Sequence, residues 1–281
     1  MEDMQKTKLK HISIEVPTSA KQMRSLDPHE PTDEFSVSSQ RIFDLQRARA
    51  LSSWQSIRSI SIRSTTTKAA IRQLLSVSGL EELNISSLHE HSSIKGMPKP
   101  TSLRTFRCGW LRRDDLLNIA ELPSLTTLSA QNSMLSNDVL KKLISMEDLT
   151  NLDLEASNLD DEMAAMLATS KKILQLDIGA SRVGRRGLQS ICNMAQLREL
   201  DIWALDIQEN DLDMLGALSN LEYLSVGGYD EQTVLTAKGV LPRIAQLPPL
   251  KSLWLDGIVL TKDEVVKLEK RHGRVQVTFV E

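Results

Sequence analysis

Cysteine is nearly absent: the chain has two in 281 residues. That excludes a disulfide framework and points to a reducing compartment, with Cys108 and Cys192 as small core residues. Aromatic residues are also sparse, with four Trp, two Tyr and four Phe, so the core must be aliphatic. No apolar run approaches the ~18 residues that suggest a membrane span. The opening MEDMQKTKLK lacks the apolar stretch of a secretory signal. A cytoplasmic protein is the expectation, with non-classical export left open and no membrane partner. Basic charge is not in excess, since 34 Lys and Arg face 37 Asp and Glu for a net charge of −3. A bulk electrostatic nucleic-acid binder is more basic than that, so no nucleic-acid partner is expected.

Catalytic signatures are missing as well. The chain has neither G-x-x-x-x-G-K-[ST] nor G-x-S-x-G. His89-Glu90-His91 lacks the spacing that sets two His on one helical turn, so it reads as a solvated loop. Gly184-Arg185-Arg186-Gly187 reads as an ordinary turn at a helix start, with a phosphate site as the alternative. No cofactor or metal is expected.

Leucine is abundant, with 43 copies, and its spacing is regular. The pattern L-x-x-L-x-L begins at Leu125, Leu149, Ile173, Leu197 and Leu221, four successive steps of 24 residues. It continues to Leu250 and His272, and backwards to Leu103, Leu80, Ile57, Thr32 and Leu9. About twelve units therefore span the chain. Within a unit, alternation predicts a short strand with one buried face. The following segments change period and predict short helices, with Ser136, Asp160 and Thr261 as N-caps and Thr261 with Glu264 as a capping box. One strand and one helix cannot bury their apolar sides alone, but stacked copies can.

These motifs resemble the leucine-rich-repeat family over almost the whole chain. The resemblance implies an α/β, right-handed leucine-rich-repeat solenoid, with a parallel concave sheet and short helices on the convex face. The expected layout is one domain over 1–281, with irregular units at 1–56, regular repeats at 57–271 and a terminal capping strand at 272–281. Residues 17–31, which hold Pro17, Pro28 and Pro31, read as a distorted connection or a hinge. The chain departs from the family's usual Asn at the bend after the strand. It has Thr65, Ser133, Ser157 and Ser181 there, whose hydroxyls can do part of that work, and apolar residues such as Leu205 and Ile258 elsewhere. This is similar to helix-backed bacterial variants.

Equal positions in adjacent parallel strands become neighbours about 4.8 Å apart. The fifth position of successive units then forms one row: Ser129, Asp153, Asp177, Asp201, Ser225, Trp254, Gln276. Three aspartates stand side by side, with Glu155 and Glu199 next to them and Asp256 farther along. No outward Lys or Arg falls in those three units; Arg63 and Arg107 lie in the N-terminal half. Outward Trp203, Tyr223 and Trp254 fall in consecutive units, and aromatic residues placed so are typical interface anchors. Gly179 and Gly227 flank Trp203 and are expected to leave a shallow groove. The unit from Leu221 is longer by about five residues, in GGYDEQTV, which predicts a loop overhanging the patch.

The candidate partner-binding residues are thus Asp153, Glu155, Asp177, Glu199, Asp201, Trp203, Tyr223, Trp254 and Asp256. They predict non-catalytic recognition of a basic protein surface, as inhibitor or adaptor. A translocated bacterial effector acting on host proteins and a self-associating structural repeat protein are the alternatives. A monomer is expected over a homo-oligomer. An open row of like carboxylates with no His beside it offers neither an enclosed pocket nor a base partner, so an enzyme is not expected.

Overall fold

The structure is a computed structural model and describes residues 10–15, 32–38, 42–52, 57–89, 93–228 and 235–280. The expectations for 17–31, for Glu90 and His91, and for the insertion at 229–234 lie outside the described residues. The chain divides into two compact units, Met1–Leu128 and Ser129–Glu281.

In the first unit, strands β1 (Lys10–Glu15), β2 (Thr32–Ser38), β3 (Ser59–Thr66), β4 (Glu82–Leu88) and β5 (Thr105–Gly109) pair in chain order, all parallel. Helices α1 (Leu45–Ser52), α2 (Lys68–Leu74) and α3 (Arg113–Ile119) follow β2, β3 and β5. Strand β6 (Thr127–Ser129) lies at the boundary. The second unit continues with α4 (Asn137–Ser145), β7 (Asn151–Asp153), α5 (Asp161–Leu167), β8 (Gln175–Asp177), α6 (Arg185–Ile191) and β9 (Glu199–Asp201). A 3-10 helix (Glu209–Ala217) takes the helical place in the next repeat. It is followed by β10 (Tyr223–Gly227), α7 (Ala237–Ile244), β11 (Ser252–Leu260), α8 (Lys262–Arg271) and β12 (Arg274–Val280).

The register follows the repeat. Leu152, Leu176, Leu200, Leu224 and Leu253 stand in line and are buried. On the opposite face, Asp153 pairs with Asp177, Asp177 with Asp201, Asp201 with Ser225, Ser225 with Trp254, and Trp254 with Gln276. Within the first unit, the equivalent repeat position pairs Ser36 with Ser61, Ser61 with Asn84 and Asn84 with Arg107. Arg107 is held there by Glu82 at 2.5 Å.

Strands β5 to β9 each turn toward the helical side through a left-handed residue: Trp110 in the first unit, and Asn132, Ala156, Ala180 and Ala204 in the second. Alanine at positive φ costs roughly 1 kcal/mol. The turn offsets this by extending the ladder. Asn132, Ala156, Ala180 and Ala204 each donate their N–H to the next repeat's carbonyl at 2.7–2.8 Å. Ser133, Ser157 and Ser181, which follow the first three, are buried, and the Ser181 hydroxyl has no hydrogen-bond partner among the described residues. Ser133 Oγ donates to the Gln131 carbonyl at 3.3 Å, and Ser157 Oγ accepts from Leu159 N–H at 3.4 Å.

Helix starts follow the sequence with one difference. Asp160 accepts from Met163 N–H at 2.9 Å. Thr261 and Glu264 form the reciprocal box at 3.3 and 2.8 Å. Ser136 is the N-cap of α4, yet its hydroxyl donates to Asp138 at 2.6 Å instead of capping the helix. Cys108 and Cys192 are both free and buried, and burial pushes the Cys192 thiol up to about 12. No helix among the described residues is long and apolar enough to cross a membrane.

His272 begins the last repeat, where other repeats place an aliphatic residue, and is only 3% exposed. Its Nδ1 accepts from Leu250 N–H at 3.1 Å, so that nitrogen is unprotonated. Burial, then the charge of Arg271, holds the imidazole below its ordinary pKa of 6.5. A depressed folded pKa gives stability that is present above the unfolded value and lost as pH falls through the folded one. The wild type should therefore lose stability relative to a His272→Asn variant as pH drops below about 6.5. Asn can still accept from Leu250 N–H and does not titrate. Urea midpoints for both proteins across that range are the check; parallel curves would refute it.

Candidate functional site

The outward row in residues 129–281 carries most of the exposed acidic chemistry of β7, β8 and β9. Each aspartate bends back on its own chain. Asp153 Oδ1 accepts from Glu155 N–H at 3.0 Å, Asp177 Oδ1 from Gly179 N–H at 2.9 Å, and Asp201 Oδ1 from Trp203 N–H at 2.9 Å. These Asp-to-i+2 bonds satisfy the backbone where each short strand ends. The row is thus a strand-end cap as well as a charged surface.

The second oxygens differ. Asp153 Oδ2 takes Ser129 Oγ at 2.7 Å and Gln131 Nε2 at 2.9 Å. Asp201 is hydrogen-bonded by the Ser225 hydroxyl. No hydrogen-bond donor among the described residues reaches the Glu155 carboxylate. Asp153, Glu155, Asp177 and Asp201 make no ion pair among the described residues. Burial pushes Asp177 up to about 8, and the charges of Asp201, Asp153 and Glu155 act the same way against the Gly179 N–H. Asp201 is raised mainly by burial, opposed by Trp203 N–H and Ser225. Glu155 is raised by burial, then by Asp153 and Asp201. One carboxylate oxygen each from Asp153, Glu155 and Asp177 lie within 4.8 Å of one another. Of the acids here, these three are the ones whose geometry could hold a cation.

Beside the acids lies an open depression of about 540 Å³. Glu155, Asp177, Asp201 and Asp256 supply its acidic wall, and Trp203 and Trp254 its aromatic wall. Ser225, Leu255, Gln276 and Val277 complete the lining. Trp254 is 43% exposed, and Tyr223 leans on it with ring centroids 6.3 Å apart at 58°. Burial and then Asp201 push the Tyr223 phenol up to about 12. Trp203 Nε1–H donates to Asp256 Oδ2 at 2.9 Å. That bond crosses β10, and Gly227 is the β10 residue between the two. A Cβ on Gly227 would stand 1.9 Å from the Asp256 carbonyl oxygen, so β11 can approach only because the side chain is missing.

Comparison with known proteins now has a geometry to meet. No protein-family model matches the chain, and no curated protein sequence matches it. Solved structures do. An internalin (inlF) from Listeria monocytogenes str. 4b F2365 superposes with a TM-score of 0.53 at 19% identity, covering 89% of this chain and 68% of that one. An internalin C2 (inlC2) from the same strain gives 0.42 at 20% identity, over 63% of this chain and 72% of that one. Leiomodin-1 actin-binding site 2 gives 0.36 at 17% identity, over 47% and 84%. The fold is the leucine-rich repeat.

On this leucine-rich-repeat sheet, six of the nine residues singled out in the sequence line the depression: Glu155, Asp177, Asp201, Trp203, Trp254 and Asp256. Asp153, Glu199 and Tyr223 do not. Asp153 sits one strand away against Ser129 and Gln131. Glu199 accepts from Gln175 Nε2 at 2.7 Å. Tyr223 supports Trp254 from the side. The groove expected from Gly179 and Gly227 is corrected: neither lines the depression, and their bare Cα atoms admit neighbouring backbone instead. Ser225 and Gln276 were missed, although both stand in the fifth-position row. Leu255 and Val277 occupy inward positions, and nothing in the sequence marks them.

The turn at Gly184–Gly187 is also settled. Asp161 Oδ1 accepts from Gly184 N–H at 2.7 Å and from Gly187 N–H at 2.9 Å, so a carboxylate of the preceding repeat already fills the start of α6. A Cβ on Gly187 would lie 2.7 Å from that oxygen. The motif is a repeat-to-repeat clasp, and a phosphate finds its donors taken.

Proposed function

We propose that the chain is a non-catalytic protein-recognition module that binds a basic protein surface on the strand face of residues 129–281. One observation carries this reading: an open acidic depression, with no Lys, Arg or His among the described residues of its lining, stands against a half-exposed Trp254. Glu155, Asp177 and Asp201, which make no ion pair among the described residues, attract a cationic partner and speed its approach. An aromatic anchor at the centre supplies area that a partner can cover. Covering a partner's basic surface leaves inhibition and adaptor tethering as the natural roles, for a monomer.

Capture from lysate with quantitative mass spectrometry tests this, comparing wild type with a variant carrying Trp254→Ala and Glu155→Lys. Neither side chain makes a hydrogen bond that holds the fold. The wild type should retain a basic protein that is lost from the double variant and released by added salt. Equal retention by both proteins, or retention indifferent to salt, would overturn the reading. A solution mass twice 31.4 kDa would point to self-association instead.

A further inference from the structure

The depression can be read more closely than as a patch of charge. Two of its donors are already used: Trp203 Nε1–H on Asp256 and the Ser225 hydroxyl on Asp201. The acidic wall offers acceptors to the cavity. Glu155 has no donor, and Asp177 has one oxygen beyond its bond to Gly179 N–H. An occupant that brings several donors and a positive charge is matched to these acceptors.

The acceptors also come from different strands. Glu155 follows β7 and Asp177 ends β8, and their carboxylate oxygens lie within 4.8 Å of each other. A guanidinium is flat, carries five N–H donors in a fixed fork and stacks on aromatic faces. Trp254, held at a tilt by Tyr223, offers such a face beside the acids.

We propose that this depression is a receptor for a single arginine side chain of the partner, its guanidinium stacked on Trp254 and hydrogen-bonded to Glu155 and Asp177. The proposal rests on the basic-partner reading and goes further by naming the anchor. The titratable groups facing Asp177 are the acids Asp153, Glu155 and Asp201 and, farther along, the Tyr223 phenol; none of them is a cation. A seated cation reverses that environment and favours the carboxylate, so occupancy should release a proton at neutral pH. Affinity should rise with pH and level off above about 8, where Asp177 becomes ionised in the free protein.

The probe is the capped tripeptide acetyl-Gly-Arg-Gly-amide, with its lysine and citrulline counterparts, titrated into the full chain. The readout is the indole N–H resonances of Trp203 and Trp254, assigned with Trp→Phe variants. The arginine peptide should shift both resonances, the lysine peptide should bind about tenfold more weakly, and the uncharged citrulline peptide should not respond. Glu155→Gln should weaken the arginine peptide about tenfold. Because the peptide series is run on the wild type, the result does not depend on any variant folding. Equal response to lysine would overturn arginine selection and leave the basic-partner reading standing. Shifts confined to other residues would overturn the pocket but not the face. No response to any peptide up to about 10 mM would overturn the receptor outright, while the capture experiment still judges the face.

Discussion

An Asp177→Asn variant is expected to melt at a higher temperature than the wild type at pH 8 and at the same temperature at pH 4. The folded pKa of Asp177 is raised from 3.8 to about 8. A carboxyl raised in this way contributes its full stability below the unfolded pKa and loses it as pH rises through the folded one. Between those limits the unfolded chain holds the ionised form, and the folded protein must either keep a proton or place a charge among Asp153, Glu155 and Asp201. At 1.36 kcal/mol per pH unit, the ceiling is about 6 kcal/mol. Solvent reaches this open face and lowers that figure, so a gain on the order of 2–3 kcal/mol is expected above pH 8. For a chain of this size that corresponds to about 5 °C or more. Asn keeps the one bond the backbone needs, because its Oδ1 can still accept from Gly179 N–H. Melting temperatures from pH 4 to pH 9 decide the matter. A constant difference between the two proteins would mean that the carboxyl titrates normally. A large loss in the variant would mean that the charge itself holds the strand end.

The two pH effects oppose each other. Asp177 makes the protein more stable toward acid, and His272 makes it less so. Each is isolated only in the difference between wild type and its own variant.

How far the sequence reached can be judged residue by residue. The row Asp153, Asp177, Asp201, Ser225, Trp254, Gln276 was legible because the recurring L-x-x-L-x-L pattern fixes which side chains become neighbours across a parallel sheet, at a step of 24 residues as far as Ser225 and of 29 and 22 beyond it. The same period located β7, β8 and β9 and put Leu152, Leu176 and Leu200 inside. Interactions outside the period were not legible. The Trp203–Asp256 bond spans 53 residues and depends on Gly227 being bare, so no single repeat predicts it. Asp161 is an unremarkable first-turn acid in its own helix; its work is to clasp the next one. Ala156, Ala180 and Ala204 are left-handed because the ladder continues through their N–H groups, and alanine carries no local preference for that conformation. The strands also shorten to three residues at β6 through β9. The Asp-to-i+2 bonds end three of these, and alternation alone does not count such ends.

Leu200→Ala should be the most damaging single substitution in this region. Leu200 is fully buried, and its neighbours in the row are Leu176 on β8 and Leu224 on β10. The loss should be about 2–5 kcal/mol, combining lost burial with the cavity left behind. The upper half of that range is favoured here by the repeat itself. The flanking leucines are fixed by hydrogen-bonded strands on both sides and cannot move inward to fill the space. Glu199→Ala is the control, one residue away on the other face, where only the bond from Gln175 is lost. It should stay within about 0.5 kcal/mol of wild type. Equilibrium urea unfolding of the three proteins compares them directly. A near-neutral Leu200→Ala beside a costly Glu199→Ala would reverse the two faces of β9. Since register is shared along β7 to β10, that result would also turn the acidic row inward and remove the binding face.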